Sequence, residues 1–397
     1  MTLRVVHVSA YFAPAFVYGG PPRSILGLCR AQRDAGVDVQ VITTTANGDS
    51  ELPETVVARG EYEGIPVRYC ERAWPRSVFR APSLRDAVAD ALRAADVLHI
   101  HGLWNATVWS AAAAARQERR PYVLSPRGML APAALAHDAW RKRLAYPVAD
   151  RRVIRDAARL HATSRPELDE LSARWGPGRT IYVPNGVELP TMGHRGGAGD
   201  EQQTRARFNL PPTAPLVLFL GRIHPIKRLD LVAGAFARVR SSRPGAHLVI
   251  AGPDEEGHRS RIAPLFTPLG SSVTWTGRVD EMGKRDLLAA ASVLVLCSNS
   301  ESFGMSAAEA MAAAVPVVVT RTCPWPEIAS HDAGFWVDQT PDAIADAVIA
   351  LLADEPAARA MGRRGRALIA GHYTWSHAAA ALIHEYEAIA TGPDSVG

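Results

Sequence analysis

The sequence holds little cysteine: four residues in 397, at positions 29, 70, 297 and 323, with no Cys-x-x-Cys pair. That pattern excludes a zinc ribbon and a disulfide scaffold and suits a reducing cytosol. Long apolar runs are missing as well. The longest, from Leu287 to Cys297, falls short of the ~20 residues that span a bilayer. The N-terminus does not read as a signal peptide, because the single early Arg4 is soon followed by His7, Pro14 and Gly19-Gly20. The G-x-G-x-x-G fingerprint is absent, which argues against a nicotinamide enzyme. No P-loop, G-x-S-x-G elbow or H-E-x-x-H pair occurs either. Lysine is scarce: only Lys142, Lys227 and Lys284 among 44 basic residues, so the place of each is worth following. The net charge of +4 is mild for 42.7 kDa and does not indicate a nucleic-acid partner.

What is present is apolar material for two cores. The chain is 47% hydrophobic, and its length predicts two domains at ~100–200 residues each. Composition excludes disorder, collagen and a coiled coil. The pattern is strand, loop, helix, repeated. RVVHVSA (4–10) reads as a strand, and Gly19-Gly20 with Pro21-Pro22 reads as a helix entry. VDVQVITT (37–44), VLHIHG (97–102), YVLS (122–125), RLHATS (159–164) and TIYVPN (180–185) continue the strands. The polar, glycine-rich stretch 191–203 reads as a linker. After it the rhythm restarts with PLVLFLG (215–221), AHLVIAG (246–252), SVTWTG (272–277), ASVLVLC (291–297) and VPVVVT (315–320). Such alternation predicts an α/β fold of two doubly wound, mainly parallel domains in tandem. Ligands of such sheets bind at the carboxyl ends of the strands.

Three segments sit at those ends. In ESFGMSAAEA (301–310), Glu301 and Glu309 are separated by seven intervening residues, and a helix is expected to start near Ser306. Free N–H groups at that start suit a phosphate, and both carboxylates could face one ligand. The plain alternatives are a solvated Glu301 and a capping box, Ser306-x-x-Glu309. In FLGRIHPIKRLD (219–230), Arg222 and Lys227 could neutralise a diphosphate together, or be ordinary surface cations. Gly19-Gly20 permits close approach of backbone N–H groups to a ligand, or is simply a turn. His99 and His101 alternate on one side of a strand, a pattern that more often marks structural histidines.

Taken together, Gly19-Gly20, VPNGV (183–187), LGR…K (220–227) and SESFGMSAAEAMA (300–312) resemble the retaining glycosyltransferases of family 4. The resemblance covers nearly the whole chain and implies the GT-B fold, with two Rossmann-like domains facing across a cleft. It implies domain limits of 1–190, completed by a C-terminal helix at 374–397, and 204–373, joined by the 191–203 linker. It also implies transfer of a sugar from a nucleoside diphosphate sugar to an acceptor hydroxyl without metal or other cofactor. Arg222 and Lys227 would hold the diphosphate, Glu301 the donor-sugar hydroxyls and Glu309 the ribose. The amides of Phe303, Gly304 and Met305 would meet the phosphates or sugar, Gly277 would lie beside the base, and Gly20 near the diphosphate.

There are departures. Where many members carry a histidine, this chain reads Ser125-Pro126-Arg127-Gly128, as in a subgroup with HGLW (101–104) and SPRGML (125–130) segments. His101 and Arg127 are therefore candidate sugar or acceptor contacts. Ala314 stands where a glycine is usual, and TRTCPWPEI (320–328) replaces a more glycine-rich loop. The resemblance implies a saccharide, lipid-linked or small-molecule acceptor, a role in cell-surface polysaccharide or glycolipid synthesis, and a cytoplasmic enzyme. The basic stretch 138–159 is a candidate face for anionic lipid at the inner plasma membrane, or a solvated helix face. Two rival functions share the architecture: a nucleotide-sugar 2-epimerase and a non-catalytic sugar-nucleotide-binding subunit.

Overall fold

The computed structural model describes residues 2–130, 150–190, 198–254 and 257–391. The chain forms two compact units. Unit 1 comprises Met1–Gly186 with Trp375–Gly397, and unit 2 comprises Val187–Thr374.

Unit 1 is built on an eight-stranded sheet. Its strands are β1 (Arg4–Ser9), β2 (Asp38–Thr44), β3 (Glu61–Tyr62), β4 (Ile65–Cys70), β5 (Val97–His101), β6 (Tyr122–Ser125), β7 (Arg159–Ala162) and β8 (Thr180–Tyr182). They lie in the order β8-β7-β6-β5-β1-β2-β4-β3, and every pairing is parallel except the short β3–β4 hairpin. Helix α1 (Gly20–Asp34) and the C-terminal helix α2 (Trp375–Ala390) pack together over one face. Period-two alternation decides which side chains they cover. Val5, Val97 and Val123 join Ile25, Leu28 and Tyr386 in one core, while Val6, Val8, Leu98 and Ile100 join Leu84 and Val108 in the other. Gly27 is where the two helices touch: a Cβ there would lie 2.3 Å from the Trp375 ring. The strand order reverses between β1 and β5, so a ligand site is expected where those strands end.

Unit 2 has a six-stranded, all-parallel sheet: β9 (Leu216–Leu220), β10 (His247–Ala251), β11 (Val273–Gly277), β12 (Val293–Leu296), β13 (Val317–Thr320) and β14 (Gly334–Val337). The order is β11-β10-β9-β12-β13-β14. Apolar runs such as LVLFL and VLVL form its centre because helices bury both faces. The order reverses between β9 and β12, which places the Arg222–Lys227 loop beside the Glu301 loop. Gly252 ends β10 at φ 148° and passes so close to β9 that a Cβ would meet the Gly221 carbonyl oxygen at 1.9 Å.

Two expectations change in detail. Residues 198–203, read as part of a linker, open a helix at Ala198–Arg207. It is anchored where Arg205 donates to Glu201, four residues back, and to the carbonyls of Pro211 and Ala214. Residues 191–197 lie outside the described residues, as does 138–149 of the basic stretch. In the part that is described, Arg152 and Arg155 both pair with Asp156, and Arg159 with Glu385. Among the described residues no helix is long and apolar enough to cross a membrane.

Candidate active site

In unit 2 the two loops at the sheet's reversal point are stitched to each other. Asn299 N donates to the Ile226 carbonyl at 2.8 Å, and Arg228 Nη1 donates to Asn299 Oδ1 at 3.0 Å. His224 caps the short turn at Pro225–Lys227 by accepting from Ile226 N. The turn ends on Arg228 in the left-handed region, at φ 53°. This geometry delivers the Lys227 ammonium onto Glu301 Oε1, with both side chains only 15% and 13% exposed. Ser298 Oγ donates to the same oxygen at 2.6 Å. Arg222 lies half-buried on the same loop, its neighbours Gly221 and Ile223 tied by their N–H groups to Ala251 and Pro253 carbonyls.

The loop after Glu301 turns on Gly304, at φ 86°, which is the residue preceding helix α3 (Met305–Ala312). A Cβ on Gly304 would lie 3.0 Å from Trp325 Nε1. That indole donates to the Phe303 carbonyl at 2.5 Å, while the Phe303 ring packs on Trp325 and Tyr373 in the core. The TRTCPWPEI segment therefore supplies the tryptophan that shapes this turn. The capping box does not form. Because the helix starts at Met305, Ser306 lies inside the first turn and makes no cap. Glu309 instead accepts from Lys284 Nζ at 2.6 Å, and Lys284 also meets Glu281 at 3.0 Å. The two described lysines thus each hold one of the two glutamates. Scarcity of lysine was the only sequence signal for Lys284; nothing in its own neighbourhood pointed to Glu309. Gly277, at φ 68°, ends β11 with open space around its Cα and accepts from Gly252 N at 2.8 Å. Burial pushes the Cys323 thiol up to about 12 and Cys297 higher, so neither offers a thiolate here.

In unit 1, four of the singled-out segments converge on Arg127. Its guanidinium donates to His101 Nδ1 through Nη2 at 3.1 Å and Nε at 3.3 Å. Nη1 donates to Ser24 Oγ at 2.8 Å and to Asn185 Oδ1 at 3.5 Å. These partners come from α1, which opens on Gly20, from the HGLW segment and from VPNGV. Gly20 itself has open space around its Cα. Arg127 sits at φ 55°, and the turn is held by the Glu167 carboxylate, which accepts from Gly128 N at 2.6 Å and Thr163 N at 2.8 Å. Burial lowers the Arg127 pKa to about 10, leaving it charged at neutral pH. HGLW and SPRGML pack on one another: Gly102 N donates to the Ser125 carbonyl at 2.8 Å, and Trp104 Nε1 to the Met129 carbonyl at 3.3 Å.

His7, His99 and His101 bring ligand-type nitrogens within 4.8 Å of one another, the one group among the described residues dense enough for a metal ion. All six ring nitrogens are already in hydrogen bonds to protein groups. A cation would have to break those bonds beside the Arg127 charge.

Comparison with known proteins matches both halves. The Glycosyl transferase 4-like domain model matches residues 19–186, and the Glycosyl transferases group 1 model matches residues 200–368. The chain is similar to D-inositol 3-phosphate glycosyltransferase 2 of Catenulispora acidiphila, with 30% identity over 81% of this chain and 78% of the relative. It is also similar to the GDP-mannose-dependent alpha-(1-6)-phosphatidylinositol dimannoside mannosyltransferase of Mycobacterium tuberculosis, with 33% identity over 57% and 56% of the two chains. Among solved structures, Anabaena HepE in complex with UDP and glucose superposes with a TM-score of 0.76 at 18% identity, covering 97% of this chain and 99% of that one. The chain therefore belongs to the family 4 type glycosyltransferases of the GT-B fold and is a glycosyltransferase.

Proposed function

We propose that the protein moves a sugar from a nucleoside diphosphate sugar to an acceptor hydroxyl with retention of anomeric configuration. The carrying observation is in unit 2, where two carboxylates, each fixed by an ammonium, flank the start of α3 at the sheet's reversal point. In this reading Arg222 and Lys227 hold the diphosphate, Glu301 orients the donor sugar and Glu309 binds the ribose. The amides of Phe303, Gly304 and Met305 face the phosphates or sugar, and Gly277 leaves room for the base. Arg127 is the acceptor-side or sugar contact, with His101, buried and held on both ring nitrogens, behind it and Gly20 nearby in unit 1. The bond from the anomeric carbon to the β-phosphate oxygen breaks, and its electron pair leaves on the phosphate. The acceptor oxygen bonds to the same face, and its proton passes to the leaving phosphate oxygen. Arg222, Lys227 and the helix start meet charge that grows as the bond breaks, so they stabilise the transition state more than the ground state.

The names of the relatives support a nucleotide-linked donor and an inositol phosphate or phosphatidylinositol-linked saccharide acceptor. A thermal-shift screen across UDP-, GDP-, ADP- and TDP-sugars identifies the donor. Proton NMR of the product then shows the donor's anomeric configuration, and turnover persists in EDTA. An inverted product overturns retention, loss of activity in EDTA overturns the two-cation reading, and an epimer formed from donor alone favours the epimerase.

Lys284 gives a second expectation. Glu309 has one oxygen tied to Lys284, which leaves its orientation fixed for a ribose hydroxyl. Lys284→Met raises the donor KM about tenfold or more, the worth of one charge-assisted bond at about 1.5 kcal/mol or above, with a smaller effect on kcat. An unchanged donor KM would sever Lys284 from the site.

A further inference from the structure

Unit 1 buries four histidines: His7, His99, His101 and His161. Sheet register gathers them. His7 lies opposite His99 and Ser9 opposite His101 across β1 and β5, His101 lies opposite Ser125 on β6, and Val123 lies opposite Arg159, which brings His161 level with Ser125. A buried imidazole needs a partner on each nitrogen, and every one of these has it. Arg127 reaches His101 Nδ1 at 3.1 Å, and His101 Nε2 lies 2.9 Å from His7 Nδ1. His7 Nε2 lies 2.8 Å from Gln32 Oε1, and Gln32 Nε2 lies 3.2 Å from the Tyr386 hydroxyl. That hydroxyl is 2.5 Å from His99 Nδ1, and His99 Nε2 is 2.7 Å from Ser125 Oγ. Ser125 Oγ is 2.5 Å from His161 Nδ1, and His161 Nε2 is 2.7 Å from the Val183 carbonyl oxygen.

The two ends of this line allow one role each. A guanidinium only donates, and a carbonyl only accepts. Starting from Arg127, His101 must accept on Nδ1, so its proton is on Nε2 and is donated to His7. His7 then donates from Nε2 to the Gln32 carbonyl oxygen, and the Gln32 amide donates to Tyr386. The tyrosine donates to His99, His99 to Ser125, Ser125 to His161, and His161 to Val183. The opposite direction would set a bare His161 nitrogen against the Val183 oxygen. Both ends demand the same order, in which all four imidazoles are neutral with the proton on Nε2. Burial favours that neutral state and depresses all four pKa values.

We propose that this line is a one-way hydrogen-bond relay whose output is Arg127, and that Tyr386 on the C-terminal helix and Gln32 on α1 are positioning residues for that guanidinium. The proposal rests on the reading of Arg127 as a substrate contact. Gln32 is the reversible link: its amide is held from two sides, by Arg127 acting through His101 and His7 and by the Tyr386 hydroxyl. With the hydroxyl gone only the first hold remains, and a fraction of molecules carries a turned amide that donates to His7 Nε2. His7 then carries its proton on Nδ1, and His101 accepts on Nε2 and carries its own on Nδ1, pointing at the guanidinium. Donor faces donor, and Arg127 leaves its seat.

The test is Tyr386→Phe, which keeps the ring and removes only the hydroxyl. Two-bond 15N–1H correlation spectra of the wild type show four imidazoles that do not titrate from pH 7 to 5, each protonated on Nε2. In the variant, a second population of His7 and His101 carries its protons on Nδ1, and Arg127 Nε–H exchanges with solvent faster than in the wild type. Circular dichroism checks that the variant is folded. A wild-type proton on Nδ1 of any of the four overturns the relay, and this holds even if Tyr386→Phe fails to fold. Unchanged tautomers and exchange in a folded variant overturn the positioning role. Full nucleotide release in Arg127→Met, with UDP-glucose as the first probe, overturns the link to the reaction while leaving the tautomers as they are.

Discussion

Lys227→Ala lowers turnover by about two powers of ten, since losing one charged hydrogen bond costs about 1.5–3 kcal/mol. The loss is felt twice. The leaving diphosphate loses a countercharge as its own charge grows, and Glu301 is left as a mostly covered carboxylate beside Ser298 with no ammonium. Those two effects separate in a cycle with Glu301→Gln. If Lys227 only neutralises Glu301, the double variant recovers melting temperature and is no slower than Glu301→Gln alone. If it also meets the diphosphate, the double variant regains stability but is slower than Glu301→Gln alone. Lys227→Arg keeps the charge but swaps a compact ammonium for a planar fork, so it restores part of the rate. Near-normal kcat in both Lys227→Ala and Arg222→Ala would refute the pair as the diphosphate holder.

Most strands were legible because parallel strands buried on both faces read as short apolar runs; those at Glu61–Tyr62, Ile65–Cys70 and Gly334–Val337, at or near the sheet edges, were not named. LVLFL, VLVL and VVVT needed no partner to be recognised. Strand order was not legible, and it does the gathering. Nothing local says that β9 and β12 are neighbours, yet that adjacency is why Lys227 meets Glu301 across 74 residues. His99 and His101 showed their shared face through spacing alone, whereas His7 and His161 join them only through register with other strands. Ser306-x-x-Glu309 misled because a capping pattern depends on where the helix begins. Gly304, with its positive φ, lets α3 begin at Met305, before the serine can cap it. The SPRGML segment stood out as a departure, but its use came only with Asn185, Ser24 and His101 around Arg127.

The same relay makes the fold sensitive to acid. Burial lowers His7 and His161 from 6.5 to about 4, and His99 and His101 well below 6.5. In the unfolded chain these side chains take up protons near pH 6.5. Between pH 6.5 and about 4 the unfolded state therefore binds more protons than the folded one, and stability falls as pH falls. At pH 5 each such histidine has withdrawn about 2 kcal/mol, so His7 and His161 alone remove about 4 kcal/mol. That is a large share of the ~5–15 kcal/mol that holds a domain folded. Carboxylates with depressed pKa values, such as Glu51 and Asp230, act in the same direction but only at lower pH, because their unfolded reference values are 4.5 and 3.8. Urea melts followed by circular dichroism should accordingly show a midpoint at pH 5 well below that at pH 7, with most of the loss arising above pH 4.5. Equal midpoints at the two pH values would mean that the four imidazoles are not held neutral in the core, and the one-way order derived from Arg127 and Val183 would fall with them.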